Sequence, residues 1–367
     1  MIRIGYIVNP RADLLCFLGF PFLCITVALA SYHWLPAVAW ASIAVWVTVP
    51  HHLATWLRTY GLAEDWRRWK THLIIGPAVI FGLALVGLKW APTTIMIVAT
   101  LWDHQHSLMQ QHGLARIYDF KARTGAPFSG RFDLLLHWFL YVNMLVTAPL
   151  FGLLWVREVY AWGIPITPDS MKWFQTMSWF ATGAYVLVYL GHTVWCARAG
   201  IPLNPLKYLF IGSSYFLWYF TSWHTDSFLV FGIAHRLMHG VQYIMIVHSY
   251  LGHKLAASTG DQQAEGVSSK LLRILSSWGA WGFIGIGTLY AVAYQFVLLQ
   301  PLDVLGFGVF NFMAVYGSVP SMGLNGISRE TGYDLFASTM IQAVPITHYY
   351  FDSFIWKVSD VKIQQGL

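Results

Sequence analysis

The stretch from Phe231 to His253, FGIAHRLMHGVQYIMIVHSYLGH, is apolar enough to lie in a bilayer, yet it carries His235, Arg236, His239, Gln242, His248 and His253. Ionisable groups at membrane depth are costly, so they face the interior of a helix bundle and serve a purpose there. His235 and His239 are four residues apart, so on a helix they share one face and suit a single metal ion. His248 and His253 are separated by a five-residue step, which turns the second about 140° from the first. That pair fits one ion less well, and a place near the lipid headgroups is the alternative for it.

The rest of the chain has the same character. Of its 367 residues 57% are hydrophobic and only 10% charged, against about 25% charged in soluble domains. The apolar residues fall in blocks of about twenty, the length that crosses a bilayer as a helix. Period-two alternation, which a closed barrel requires, is absent. The expectation is an all-α, polytopic helical membrane protein with about ten spans, a single integral membrane domain over 1–367, and a histidine-rich metal site in the bundle. Expected spans begin near Leu14, Pro36, Leu73, Thr94, Leu134, Met171, Leu206, Phe228, Leu271 and Tyr333. Arg3, Arg11 and Ala28-Leu29-Ala30 give the N-terminus a signal-peptide flavour, but an ordinary first span is the expectation. The net charge of +6 is spread through loops and forms no basic stripe, which argues against nucleic acid. Cys16, Cys24 and Cys196 form no CxxC pair and no zinc-ligand spacing.

Lys and Arg set the orientation. The N-terminus and the loops 58–70, 116–131 and 254–273 are basic, and alternating spans put all four on one side, so both termini are expected to be cytoplasmic. Residues 254–268 read as a flexible cytoplasmic loop. Residues 302–320 are apolar, short and rich in glycine, and read as a re-entrant or interfacial segment.

Further histidines gather toward that same side. His51 and His52 end the second span and are consecutive, so a regular helix turns them about 100° apart; Pro50 could break the helix and admit both. Asp103 and His106 are adjacent on a helix surface, His112 lies six residues on, and His104 faces a neighbouring helix or lipid. His348 and Asp352 are four apart and share a face; the aspartate can ligate or can orient a ligating histidine. The candidate ligands are therefore His51, His52, Asp103, His106, His112, His235, His239, His348 and Asp352, with His104, His248, His253 and Arg236 as additional site residues. His33, His72 and His137 are expected at membrane interfaces.

Neutral imidazole binds iron, copper and zinc alike. With no Glu in the spans, a carboxylate-rich di-iron site of the soluble type is ruled out, and any metal site here is dominated by histidine. The HxxxH at His235–His239 and the HxxxxH at His248–His253 resemble the boxes of integral-membrane, histidine-cluster non-haem iron oxygenases of the desaturase and hydroxylase class. The HxxHH box of that class is absent, and the class has fewer spans. A second likeness is to membrane carotenoid-cleaving oxygenases, without residue-level matches. The first resemblance implies iron, two ions rather than one, with dioxygen, a hydrophobic lipid-like substrate and an electron donor protein. Two alternatives stand beside it: a transporter or metal-ion carrier with a histidine-lined path, and a haem-binding electron-transfer protein. The absence of HExxH argues against a zinc hydrolase.

Overall fold

The computed structural model describes residues 1–35, 37–161, 163–257, 267–298 and 332–367. The expected segment 302–320, and residues 258–266 of the expected flexible loop, lie outside them. The regular structure of the described residues is helical apart from one isolated parallel bridge between Ile2 and Leu203, with turns and irregular links between the helices. The helices are α1 (Pro10–Leu18, π-helical over Asp13–Leu18), α2 (Phe20–Trp34), α3 (Ala37–Gly61), α4 (Ala63–Trp90), α5 (Pro92–Ala122), α6 (Ser129–Thr147), α7 (Pro149–Ala161), α8 (Pro168–Arg198), α9 (Pro205–Trp223), α10 (Phe228–Ala257), α11 (Val267–Ser277), α12 (Gly279–Leu298), α13 (Gly332–Ile355) and α14 (Val361–Gln364).

Local chemistry explains many of these boundaries. Thr167 and Ser170 form a reciprocal capping box ahead of α8, with Pro168 in the first turn. The Asn204 side chain caps α9, and its amide also donates to the carbonyls of Gly5 and Tyr118. The expected span from Leu134 is two helices, because Pro149 holds Ala148 in an extended conformation. The expected span from Leu271 is also broken, at Gly279, whose φ of +58° suits glycine. The ends of the expected loop 254–268 belong to α10 and α11.

Three helices among the described residues are long and apolar enough to cross a membrane: α4, α8 and α10, or four if bent α1 and α2 count as one span. This is fewer than the expected ten. The physical reason lies in the residues that make the chain unusual. Asp103, His104, His106 and His112 dilute the apolar run of α5, and Arg131, Asp133, His137 and Asn143 do so in α6. In α4 and α8 only 17% of the apolar window is buried within the protein, against 72% in α10. α4 exposes Ile74, Ile75, Val79, Leu83 and Val86, and α8 exposes Phe180, Leu187, Val188 and Leu190. Burial accounts for the apolar character of α10, whereas α4 and α8 turn most of their apolar side chains outward, as helices in an apolar surrounding do.

The chain forms two compact units, residues 1–33 with 108–238 and residues 34–107 with 239–367. In the first, α6 packs on α8 and the core holds Phe17, Tyr118, Tyr141, Phe210 and Trp218. The Asp13 carboxylate accepts from the backbone N–H groups of Ile7 and Val8, tying the N-terminal segment down. This unit also buries a charge network. Lys207 Nζ lies 2.9 Å from Asp119 and 3.2 Å from Asp133, and Arg116 reaches the same two carboxylates at 2.6 and 3.1 Å. Tyr189 and Thr124 donate to what remains of them.

In the second unit α13 packs along α4 and α12 along α3. Gly76 permits the first contact, since a Cβ there would collide with the Tyr350 ring. Arg58 is fully buried beside Asp65, with its guanidinium over the rings of Tyr250 and Trp356. At one end of this unit the start of α4, the end of α10 and the segment leading into α14 are joined by Arg68–Asp360 at 2.5 Å and by Lys254–Glu64 at 3.1 Å.

Candidate metal centre

The second unit gathers five imidazoles from four helices. His51 and His52 come from α3, His106 from α5, His239 from α10 and His348 from α13, and none is more than 5% exposed. His348 is central. Its ring centroid lies 4.7 Å from His51, 5.2 Å from His52 and 4.8 Å from His106. His239 lies 5.1 Å from His51 and 5.0 Å from His106. Two overlapping sets have their ligand atoms within 4.8 Å of one another: His51, His239 and His348, and His106, His348 and Asp352.

The residues around His348 form one hydrogen-bonded chain. Tyr243 O–H donates to Asp352 Oδ1 at 2.7 Å. Thr55 Oγ1 lies 2.6 Å from Tyr243 Oη and 2.6 Å from His348 Nδ1. With the tyrosine proton on Asp352, the Thr55 hydroxyl has Tyr243 Oη and, at 3.4 Å, Asp352 Oδ1 as acceptors, and His348 Nδ1–H then donates to Thr55. In that arrangement each proton is used once and the lone pair of His348 is on Nε2. That atom is buried, has no hydrogen-bond partner among the described residues, and lies 3.9 Å from Asp352 Oδ2. A ligating histidine whose other nitrogen is held by a hydrogen bond is the ordinary arrangement at metal sites.

The expected residues are distributed unevenly. Consecutive His51 and His52 both reach His348, on a helix that carries Pro50 inside it. Asp103 accepts from Tyr349 O–H at 2.8 Å, and the Tyr349 ring stacks on His106 at 4.5 Å. Asp103 thus acts on the cluster through Tyr349. His104 is half-buried on α5 and belongs to neither ligand set. His248 packs edge-on against Phe283, and His253 Nδ1 meets the carbonyl of Gly366 at 3.0 Å; neither joins a ligand set.

His235, Arg236 and His112 belong to the first unit. Trp218 Nε1 donates to His235 Nδ1 at 2.6 Å, and the imidazole is stacked between Trp218 and Phe231. Its Nδ1 lone pair is therefore spent on an indole, although His239 four residues later is in the cluster. Arg236 is half-buried. His112 lies 5.7 Å from His137, which is wholly buried and bonded to Tyr215 at 3.0 Å; the expected interfacial place for His137 is corrected by that burial.

Thr55, Tyr243 and Tyr349 were not singled out from the sequence. A signal was there: Thr55 follows His51 by four, Tyr243 follows His239 by four and Asp352 follows His348 by four. One helical turn therefore places a hydroxyl or carboxylate beside each of three histidines.

A cavity of about 270 Å³ lies among α3, α4 and α13, lined by Trp56, Tyr60, Phe81, Met340, Val344 and Thr347. Its polar groups are turned to other partners: Trp56 Nε1 donates to Tyr290 and Tyr60 O–H to the Leu73 carbonyl. Trp56 adjoins Thr55 and Thr347 adjoins His348 in sequence, so the cavity shares two helices with the cluster. No protein family, no curated protein and no solved structure matches this chain.

Proposed function

We propose that the buried cluster of the second unit holds iron, two ions sharing the neighbourhood of His348, and that the protein is a membrane-embedded oxidoreductase that uses dioxygen on a hydrophobic, lipid-like substrate. The observation that carries this reading is the buried His348 Nε2, without a hydrogen-bond partner among the described residues and common to two sets of close ligand atoms from His51, His239, His106 and Asp352. An imidazole-rich set with one carboxylate suits iron or zinc. Iron with dioxygen supplies the oxidation of a C–H or C=C bond, which side chains alone cannot attack.

The chain's own residues do the rest. His51, His239 and His348 would hold one ion, and His106 and Asp352, with His348 nearby, the second. Thr55 fixes the His348 ring, and Asp103 fixes His106 through Tyr349. Burial of all five imidazoles excludes water. The apolar cavity beside α3 and α13 would accept the substrate, and the outward apolar faces of α4 and α8 support a place in a bilayer. A cytoplasmic place for both termini remains part of the proposal on the distribution of Lys and Arg. Haem is disfavoured by the imidazoles packing on one another with ring centroids 4.3–5.2 Å apart, which leaves no slot for a macrocycle.

A second reading, a transporter with a histidine-lined path, draws on the same imidazoles, since ionisable groups at membrane depth mark transport pathways. Elemental analysis and an optical spectrum of detergent-purified protein decide between them. The oxidoreductase reading expects iron bound in stoichiometric amount, no haem band, and loss of that iron in His348→Ala. A correctly assembled protein that binds no metal sinks it and leaves the transporter.

A further inference from the structure

A redox centre buried this deeply needs a route for electrons, and the second unit holds one. The Tyr243 ring lies 5.1 Å from His348, centroid to centroid, and 6.1 Å from Trp356 on the other side. Trp356 Nε1 donates to Tyr243 Oη at 3.3 Å, so contact between the two side chains is direct. Tyr243 is buried, while Trp356 is half-buried and precedes exposed Lys357. Two ring-to-ring steps thus connect the histidine cluster to one end of the unit.

That end is basic. Outside the buried Arg58–Asp65 pair, the cations Arg67, Arg68, Lys70, Lys254, Lys357 and Lys362 gather there against the acids Glu64 and Asp360. Contacts bring the three segments together: Arg68 to Asp360, Lys254 to Glu64, and Lys362 to Glu64 at 3.7 Å. Arg67, Lys70 and Lys357 are exposed and have no carboxylate partner among the described residues. A surface with surplus positive charge attracts and orients an acidic partner.

We propose that this basic end is the docking surface for an acidic one-electron carrier protein, and that Trp356 and Tyr243 bridge the electron's passage to the metal cluster. The proposal rests on the oxidoreductase reading above. One electron leaves the reduced carrier, which is oxidised, and arrives at a ferric ion, which becomes ferrous; no bond is made or broken. Trp356 acts as a bridge and is not itself oxidised. The Arg58 guanidinium sits 3.7 Å from its ring centroid, and that positive charge opposes a tryptophan cation radical.

The test uses the full-length, iron-loaded protein and a reduced plant-type [2Fe–2S] ferredoxin as the acidic carrier. The rate of ferric-centre reduction is followed by stopped flow, with dithionite as a small reductant that needs no docking. The triple variant Arg67→Glu, Lys70→Glu, Lys357→Glu should slow the ferredoxin reaction at least about tenfold at low salt, an advantage that high salt removes in the native protein. The dithionite rate should be unchanged. Trp356→Leu should keep ferredoxin affinity and slow the electron transfer. Unchanged ferredoxin rate and affinity in the triple variant overturn the proposal. So does a triple variant whose only change is lost phosphatidylglycerol in nanodiscs, which would assign the patch to lipid. Ferredoxin titrated onto metal-free protein reads docking alone, so failure to bind iron and failure to dock are separate results.

Discussion

The two units each bury a group of ionisable side chains, and the contrast between them separates structure from candidate function. In the first unit charge is balanced from within. Asp119 and Asp133 are matched by Lys207 and Arg116, and Tyr189 and Thr124 complete their hydrogen bonds. In the second unit the group is five imidazoles and one carboxylate, and no Lys or Arg among the described residues lies within ion-pair distance of Asp352. A network that satisfies itself holds a fold together and needs no ligand. A concentration of lone pairs has a use for a cation from outside.

Removing one charge from the balanced network should produce the largest effect. Lys207→Met leaves two buried carboxylates with only half-exposed Arg116, and should destabilise the protein by about 3–5 kcal/mol, read as a lowered unfolding midpoint in detergent. If Lys207→Met unfolds normally, the network is not structural and the contrast collapses. The second unit should differ in kind. His348→Ala should abolish iron binding, and its metal-free unfolding midpoint should fall only by the cost of the lost Thr55 hydrogen bond and the cavity left by the ring, less than for Lys207→Met. A large destabilisation of metal-free protein would mean the cluster is structural as well.

The two histidines of the HxxxH pair sharpen the comparison further. His235→Ala should retain full iron and cost about 1–3 kcal/mol, the penalty of a buried indole N–H left without its acceptor. His239→Ala should lose iron. Tyr243→Phe removes the hydroxyl that organises Thr55 and Asp352, and should weaken iron binding by about 10–100-fold without abolishing it; an unchanged affinity would refute the proton arrangement around His348.

The smallest effect is expected at the protein surface. The hydrogen bond from the Arg68 guanidinium holds the Asp360 carboxyl below the usual carboxylate range. Its ionised form is favoured in the folded state, so its stabilisation is fully present above the ordinary aspartate pKa and is lost as pH falls through the depressed folded value. Asp360→Asn should therefore flatten the acid limb of the stability profile slightly, and added salt should erase the difference. An Asp360→Asn profile that matches the native one at low salt would leave that ion pair without a role.

Much of the site was legible within single helices. A step of four residues brings side chains onto one face whatever the rest of the chain does, so His348 with Asp352 could be paired from spacing alone. The consecutive pair His51–His52 was harder, because a regular helix separates the two; their joint approach to His348 depends on where α3 meets α13. His235 and His239 show the limit of spacing. Both have the right period and residue type, but Trp218 takes the lone pair of one, and nothing local to Phe231–His253 announces an indole from another helix. The expected count of spans also outran the structure, because apolar runs were judged by length while Pro149 and Gly279 break them and buried polar residues dilute them.

The sequence by itself determined that the chain is helical, strongly apolar and rich in histidine, and that its imidazoles cluster on a few segments. These follow from composition and from the 3.6-residue period, which act over a turn or two of helix. Only the tertiary structure decided which imidazoles meet, which nitrogen of His348 stays bare, and that the buried charges of the first unit cancel one another. Contacts between residues hundreds of positions apart, such as Thr55 with His348, are set by how helices pack, and packing is a property of whole faces that no local pattern encodes.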